Sequence, residues 1–474
     1  MKNYFDAFDY KGIHEQACYL MEHRKKLKRS AVDKYMEYFD TKCVKSKEEF
    51  EKAKNVIPGG IQHNLANNHP FALAIDRADG SYLYDIDGNR YIDLLCAGGP
   101  IILGNNYPAV RDATVDHIIN KAPLTGLYNC YERELAELIC RHMPNIEMFR
   151  ALASGTEADI IGIRLARAFT GKMHIIRLNG GYHGWSDQLV YNDNGMPSGM
   201  KNGIPIDCFH NTHNVPVNDL DALEEMFRKY EGDVAAFVME PLGQDSGIVP
   251  TTKEYMIESE KMCRKYGALL IYDEVVTGFR MGMGGAQGFF GTKPDLTVFG
   301  KIIGGGYGCS GGIGGRKDVM SMLAAGISAE SENKVKVGGT LSANPLTTLA
   351  GITVIKELEK QNVHEKLEKA ADYLTKGIAE LTEKYDVPAI VFNHKSILHV
   401  DTHGLQHVGY CVKDPEEGYK QLMDAYVNYI EFSMALAAEG LIIANGGKTY
   451  LPYASIGILD DILNVYDKVF SNFE

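Results

Sequence analysis

The chain has 474 residues, of which 45% are hydrophobic and 23% charged, and its formal net charge is −13. That composition excludes a disordered or fibrous chain and supplies apolar material for about two or three domains. The acidic balance argues against nucleic acid or an anionic membrane surface as a partner.

Nine cysteines lie at positions 18, 43, 96, 130, 140, 208, 263, 309 and 411, and no two form a C-x-x-C pair. An odd, dispersed set reads as reduced thiols in a cytoplasmic protein, not as a zinc ribbon or a redox dithiol. The start, MKNYFDAFDY, has no apolar leader core. No apolar run is long enough to span a bilayer. A soluble cytoplasmic protein is expected.

Residues 1–48 read as a charged helical extension. Ile13, Ala17, Leu20 and Met21 share one helical face, and Val32, Tyr35, Met36 and Phe39 share another. The basic run His23–Arg29 between them reads as a solvated helix face. Residues 49–106 are expected to begin a small domain. Within them Asp87-Gly88 marks a turn between the strand-like runs 82–86 and 91–95.

From 107 to 344 helices alternate with short apolar strands. Strands are predicted at 174–178, 234–239, 267–272 and 296–299, and helices at 132–142, 157–170, 219–230 and 253–266. The alternation predicts an α/β fold, with a mostly parallel sheet flanked by helices. Long helices at 345–385 and 416–439 and strands at 388–392 and 396–401 complete the smaller α+β domain.

In a parallel sheet, ligands bind beyond the carboxyl ends of the strands. Four clusters stand there. Ser154-Gly155-Thr156 opens a helix, where free N–H groups and the helix dipole suit a phosphate; simple capping by serine is the alternative. Gly180-Gly181-Tyr182-His183-Gly184-Trp185 offers an aromatic ring between glycines, able to stack on a planar ligand or merely to pack in a turn. Asp273 ends the run ALLIYD and precedes Glu274-Val275; its carboxylate could hold a proton on a pyridine nitrogen. Lys301 follows LTVFG and precedes Gly304-Gly305-Gly306, a position for an amine that forms an imine. The glycine run GKIIGGGYGCSGGIGG matches neither phosphate-loop nor dinucleotide patterns.

Taken in order, SGTEA, GGYHGW, LLIYDEVVTGFR, PDLTVFGK and GGTLSANPL resemble the class-III aminotransferases of the fold-type-I group. Within that group the pattern is most similar to the glutamate-1-semialdehyde 2,1-aminomutases. VIPGG (56–60), DGSYLYDIDGNRYIDLL (79–95) and GPIILGNNYP (99–108) extend the likeness over roughly 50–460.

The resemblance implies pyridoxal 5′-phosphate held by Lys301 as a Schiff base, and an aminotransferase or aminomutase acting on a small amine or amino acid. It implies that Asp273 pairs with the ring nitrogen and that Val275 and Tyr182, with His183 beside it, flank the ring. Ser154, Gly155 and Thr156 then bind the phosphate, Glu240 ends a strand at the site, and Thr340 reaches the phosphate of the other subunit of a homodimer. No metal is implied.

Two departures bear on substrate. Where the aminomutases carry a carboxylate-binding arginine this chain has Ala66, and no arginine follows Arg316. Arg280 remains, with a structural role expected. Asp245 replaces an asparagine and could lie above the ring, which opens a racemase or epimerase on the same scaffold as a rival. A non-catalytic dimeric binding protein is a further rival, opposed by Lys301 and Asp273. His399, His403 and His407 recur every four residues, but ILHVD alternates like a strand, against a helical metal site.

Overall fold

A computed structural model describes residues 3–66, 69–190, 202–324, 334–444 and 447–474. Two compact units form: Met1–Tyr107 together with Asn362–Glu474, and Pro108–Gln361. Among the described residues no helix is long and apolar enough to cross a membrane.

The first unit contains strands β1 (Ile75–Asp79), β2 (Tyr82–Asp85) and β3 (Arg90–Leu94). β2 and β3 pair antiparallel across the expected turn, where Gly88 has φ +91°. The second unit holds β4 (Met148–Leu152), β5 (His174–Leu178), β6 (Thr212–Val215), β7 (Val234–Met239), the short β8 (Val249–Pro250), β9 (Leu269–Asp273), β10 (Leu296–Gly300) and β11 (Gly311–Gly315). The chain then returns to the first unit with β12 (Ile390–His394), β13 (Ile397–Asp401), β14 (Leu441–Ile443) and β15 (Lys448–Tyr450).

The sheet of the second unit runs β4-β11-β10-β9-β7-β5-β6. β10, β9, β7, β5 and β6 are mutually parallel, and β11 joins β10 to β4 by antiparallel pairing. Every residue of β7, β9 and β10 is buried, as expected for strands covered on both faces. The helix Gly155–Thr170 packs into this core, where Ala158, Ile161 and Leu165 meet Ile175, Ala236, Ile271, Val298 and Ile313. Three strands of this sheet, β4, β6 and β11, were not expected. The least legible, β11, reads GGIGG, with Ile313 as its sole side chain. Its glycines allow close approach: a Cβ on Gly314 would lie 2.6 Å from Ile146.

The expected helix 345–385 is two helices, Pro345–Lys360 and Val363–Lys384, separated where Asn362 turns left-handed at φ +48°. The first packs on helices Pro108–Asn120 and Cys130–His142 and on the turn Lys301–Gly304, so the boundary expected at 344 falls at 361.

The 1–48 segment is no separate extension. Phe5, Ala7, Ile13, Ala17 and Leu20 bury against Ile390 and Phe392 of β12. The basic run is not a helix face either. It links helices Tyr10–His23 and Arg29–Lys42, and its charges are paired: Arg24 donates to Asp424 at 2.6 Å and Lys25 to Asp386 at 2.9 Å. The expectation of wholly reduced cysteines fails as well. Cys18 and Cys411 form a disulfide with Cα atoms 5.1 Å apart. At a sequence separation of 393 the pair leaves no spacing signal. His399 lies in β13, while the buried His403 places Nδ1 3.1 Å from Asp401.

Candidate active site

β9 and β10 run parallel with Asp273 opposite Val298, so Lys301 leaves the sheet just beyond Asp273. β7 pairs with β9 so that Met239 lies opposite Tyr272, which brings Glu240 to the same edge. Strand register alone therefore gathers a lysine and two carboxylates at one end of the sheet.

Lys301 is half-buried and has φ +49°, a conformation that L side chains seldom adopt. Its carbonyl accepts the Ser310 hydroxyl at 3.2 Å. Val275 ties three pieces together. A Cβ on Gly155 would lie 2.7 Å from its Cγ2, and one on Gly300 3.0 Å from its Cγ1. Glycine at both positions lets the start of the helix Gly155–Thr170 and the lysine turn close on one valine. Thr156 is equally near to Gly184, where any Cβ would strike it. The 180–185 loop therefore rests on the first turn of that helix.

Asp273 is buried and ends β9. Its Oδ1 accepts the Val275 N–H at 3.0 Å, and its Oδ2 lies 2.8 Å from His183 Nδ1. His183 is fully buried, and burial pushes its pKa down, opposed by Asp273. A neutral imidazole with its proton on Nδ1 satisfies that geometry. The neighbouring Glu274 faces elsewhere. It accepts from Thr277, from the N–H groups of Ala286 and Gln287, and from the Gln287 side chain, a structural assignment.

Glu240 serves backbone. Its carboxylate accepts the N–H groups of Tyr182 (2.9 Å), Asp245 (3.1 Å) and Ser246 (2.7 Å), and the Ser246 hydroxyl (3.2 Å). It thereby holds the tyrosine loop and a turn in which Asp245 and Ser246 have φ +46° and +57°. Tyr182 is 63% exposed. The Ser154 hydroxyl oxygen accepts the Glu157 N–H at 3.2 Å, which caps the helix. Thr340 is exposed on a turn whose Gly339 lies near Glu157, in the first turn of the same helix.

The class-III aminotransferase family model matches residues 64–455. The chain belongs to the class-III aminotransferases. It is 40% identical over 357 residues to a glutamate-1-semialdehyde 2,1-aminomutase of Desulforamulus reducens, covering 73% of this chain and 80% of that one. Its fold matches an omega-transaminase from Sphaerobacter thermophilus at 26% identity and a TM-score of 0.80, covering 90% and 97% of the two chains. A β-phenylalanine aminotransferase from Variovorax paradoxus matches at 26% identity and a TM-score of 0.77, covering 93% and 96%.

Membership of the class-III aminotransferases brings pyridoxal 5′-phosphate as the cofactor, and the site's donor set suits it. A helix N-terminus bears Gly155 and Thr156 for a phosphate, Asp273 is a buried carboxylate for a ring nitrogen, Val275 offers an apolar face, and Lys301 an amine. Two residues of the same neighbourhood were missed in the sequence. Arg177 is buried in β5, with its guanidinium donating to the Leu189 and Gly181 carbonyls; burial lowers its pKa to about 10. Asp159 is buried in the helix Gly155–Thr170. The helical pattern does hold a signal for it, since Asp159 shares a face with Gly162, Ile163 and Ala166, all buried.

Proposed function

We propose that this aminotransferase moves the amino group of a small amine, or of an amino acid whose carboxylate lies away from the reacting carbon, and that Lys301 is its catalytic amine. Bound, the cofactor supplies an aldehyde for the amine and a ring that takes up the electron pair left when the substrate loses its proton. Asp273, oriented by the Val275 N–H and His183, holds a proton at the ring nitrogen. The first turn bearing Gly155 and Thr156 binds the phosphate. Lys301 Nζ would remove the proton at the substrate carbon and deliver it to the carbon that takes over the amino group. Tyr182 and Val275 orient the ring and shield it from water.

The observation that carries the substrate reading is the state of Arg280. A carboxylate in a dry pocket calls for a bidentate arginine. Arg280 is the arginine nearest Asp273 in sequence, and it is 1% exposed. Position 66 is alanine, and no arginine follows 316. Asp245, half-buried beside the tyrosine loop, adds negative charge that disfavours a nearby carboxylate and favours a second amine or a hydroxyl. Steady-state assays with glutamate-1-semialdehyde, a plain amine and a diamine test this. The amines should turn over faster, and efficient formation of 5-aminolevulinate would overturn it.

The same reading makes the enzyme a homodimer with Thr340 serving the partner's phosphate. It is supported by large apolar side chains in the second unit that lie open, among them Ile119, Leu127, Tyr128 and Trp185.

A further inference from the structure

Asp159 is a carboxylic acid where the helix Gly155–Thr170 otherwise buries Ala158, Ile161, Gly162 and Leu165. It is 2% exposed, and its Oδ1 makes no hydrogen bond. One carboxylate oxygen of Asp159, one ring nitrogen of His183 and one carboxylate oxygen of Asp273 lie within 4.8 Å of one another. His183 Nε2 is buried and unpartnered as well.

The charged and titratable groups facing Asp159 are Asp273, Glu240 and Arg177, with the Tyr182 phenol and His183 beside them. Two carboxyls this close in a dry site do not both ionise. The proton goes to the one whose charged form is least bonded. Asp273 accepts from the Val275 N–H and faces His183 Nδ1, and Glu240 accepts from three N–H groups and a hydroxyl. Both are bonded as carboxylates. Asp159 has no such donors on Oδ1; Arg177 aims Nη1 and Nη2 at the Leu189 and Gly181 carbonyls, and its buried Nε makes no hydrogen bond, to Asp159 or to any other group. Burial first, then Asp273 and Glu240, push the Asp159 carboxyl well above the usual range, with Arg177 opposing. Charge counting agrees. Glu240 and Asp273 balance Arg177 and one protonated ring nitrogen, so a third negative charge would stand uncompensated away from water.

We propose that Asp159 is a positioning residue of the amino-transfer site, standing behind the His183–Asp273 pair as a neutral acid and leaving Asp273 to carry the negative charge offered to the ring nitrogen. The inference rests on the assignment of Asp273 to that nitrogen. It has a consequence that a packing role lacks. At alkaline pH Asp159 loses its proton and places a second negative charge near the ring nitrogen, which strengthens that nitrogen's hold on its own proton.

The test compares the 474-residue chain with its Asp159→Asn variant, which keeps the shape of the neutral acid but has no proton to lose. Infrared difference spectra of the cofactor-free proteins at neutral pH should show a carboxylic-acid carbonyl stretch in the wild type that Asp159→Asn lacks. That band should vanish from the wild type at alkaline pH. With pyridoxal phosphate bound, the visible absorbance of the wild type should show an alkaline titration step that is lost in Asp159→Asn. Asp159→Thr, smaller but uncharged, serves the same comparison if the amide does not fold. Loss of an ionised carboxylate band in place of the acid band, or visible titrations of the wild type and the variants that coincide, would overturn the proposal. If no protein takes up the cofactor, the functional reading fails separately, and the infrared comparison still decides the state of Asp159.

Discussion

Glu240→Gln isolates the carboxylate that organises the site without touching its chemistry. In the wild type one oxygen takes the Tyr182 and Asp245 N–H groups, and the other takes the N–H and hydroxyl of Ser246. Glutamine keeps one acceptor oxygen. In either orientation its amide NH2 faces an N–H donor, so at least one buried N–H loses its partner, at about 1–3 kcal/mol. The surviving bonds lose their charge assistance, roughly 1 kcal/mol more. Asp245 and Ser246 are held at positive φ by these bonds, so their turn is where the loss should show. We expect roughly 2–4 kcal/mol of destabilisation, a large share of a typical stability of about 5–15 kcal/mol. Equilibrium unfolding reads the loss. Amide hydrogen exchange locates it, with faster exchange at Tyr182, Asp245 and Ser246. A variant within about 0.5 kcal/mol of wild type, with unchanged exchange at those amides, would refute the reasoning.

Asp273→Asn should retain pyridoxal phosphate yet lose turnover on the order of a hundred-fold or more, since the ring nitrogen loses its anionic partner; near-normal turnover would remove Asp273 from the mechanism. Mixing Lys301→Ala chains with Thr340→Ala chains should restore activity, because a heterodimer with trans phosphate sites holds one site free of both lesions; no restoration means that Thr340 acts within its own subunit. Stability should fall as the pH drops from 6.5 toward 4. Burial lowers the pKa of His407 from 6.5 to about 4. The unfolded chain binds that proton first, so stability rises with pH through this window, by up to roughly 3 kcal/mol. His407→Leu should flatten the profile of unfolding midpoint against pH, and an unchanged profile would assign the effect elsewhere.

The parts of the fold that were legible share one cause. The apolar runs of β5, β7, β9 and β10, punctuated by glycine and acidic residues, can bury on both sheet faces and so announce themselves. β11 cannot, since four of its five residues are glycine and its pairing is imposed by β4 and β10. The N-terminal helices read correctly as amphipathic, but the pattern does not say against what they pack, and β12 lies some 380 residues further on. Within the site, Lys301, Asp273, Val275, Gly155 and Thr156 stand at strand ends or a helix start, where position implies exposure to a ligand. Glu240 stands at such an end as well, yet the structure turns its carboxylate onto backbone. Asp159 escaped because an acid near a helix N-terminus is common on other grounds; its helical face, buried throughout, was the available clue.

The central claim is that Lys301 carries the cofactor. Borohydride reduction of the pyridoxal-phosphate-loaded protein, followed by proteolysis and mass mapping, tests it most directly. The label should fall on the peptide containing Lys301, and Lys301→Ala should take up none. Label on another lysine, with Lys301→Ala reduced as readily as wild type, would contradict the account.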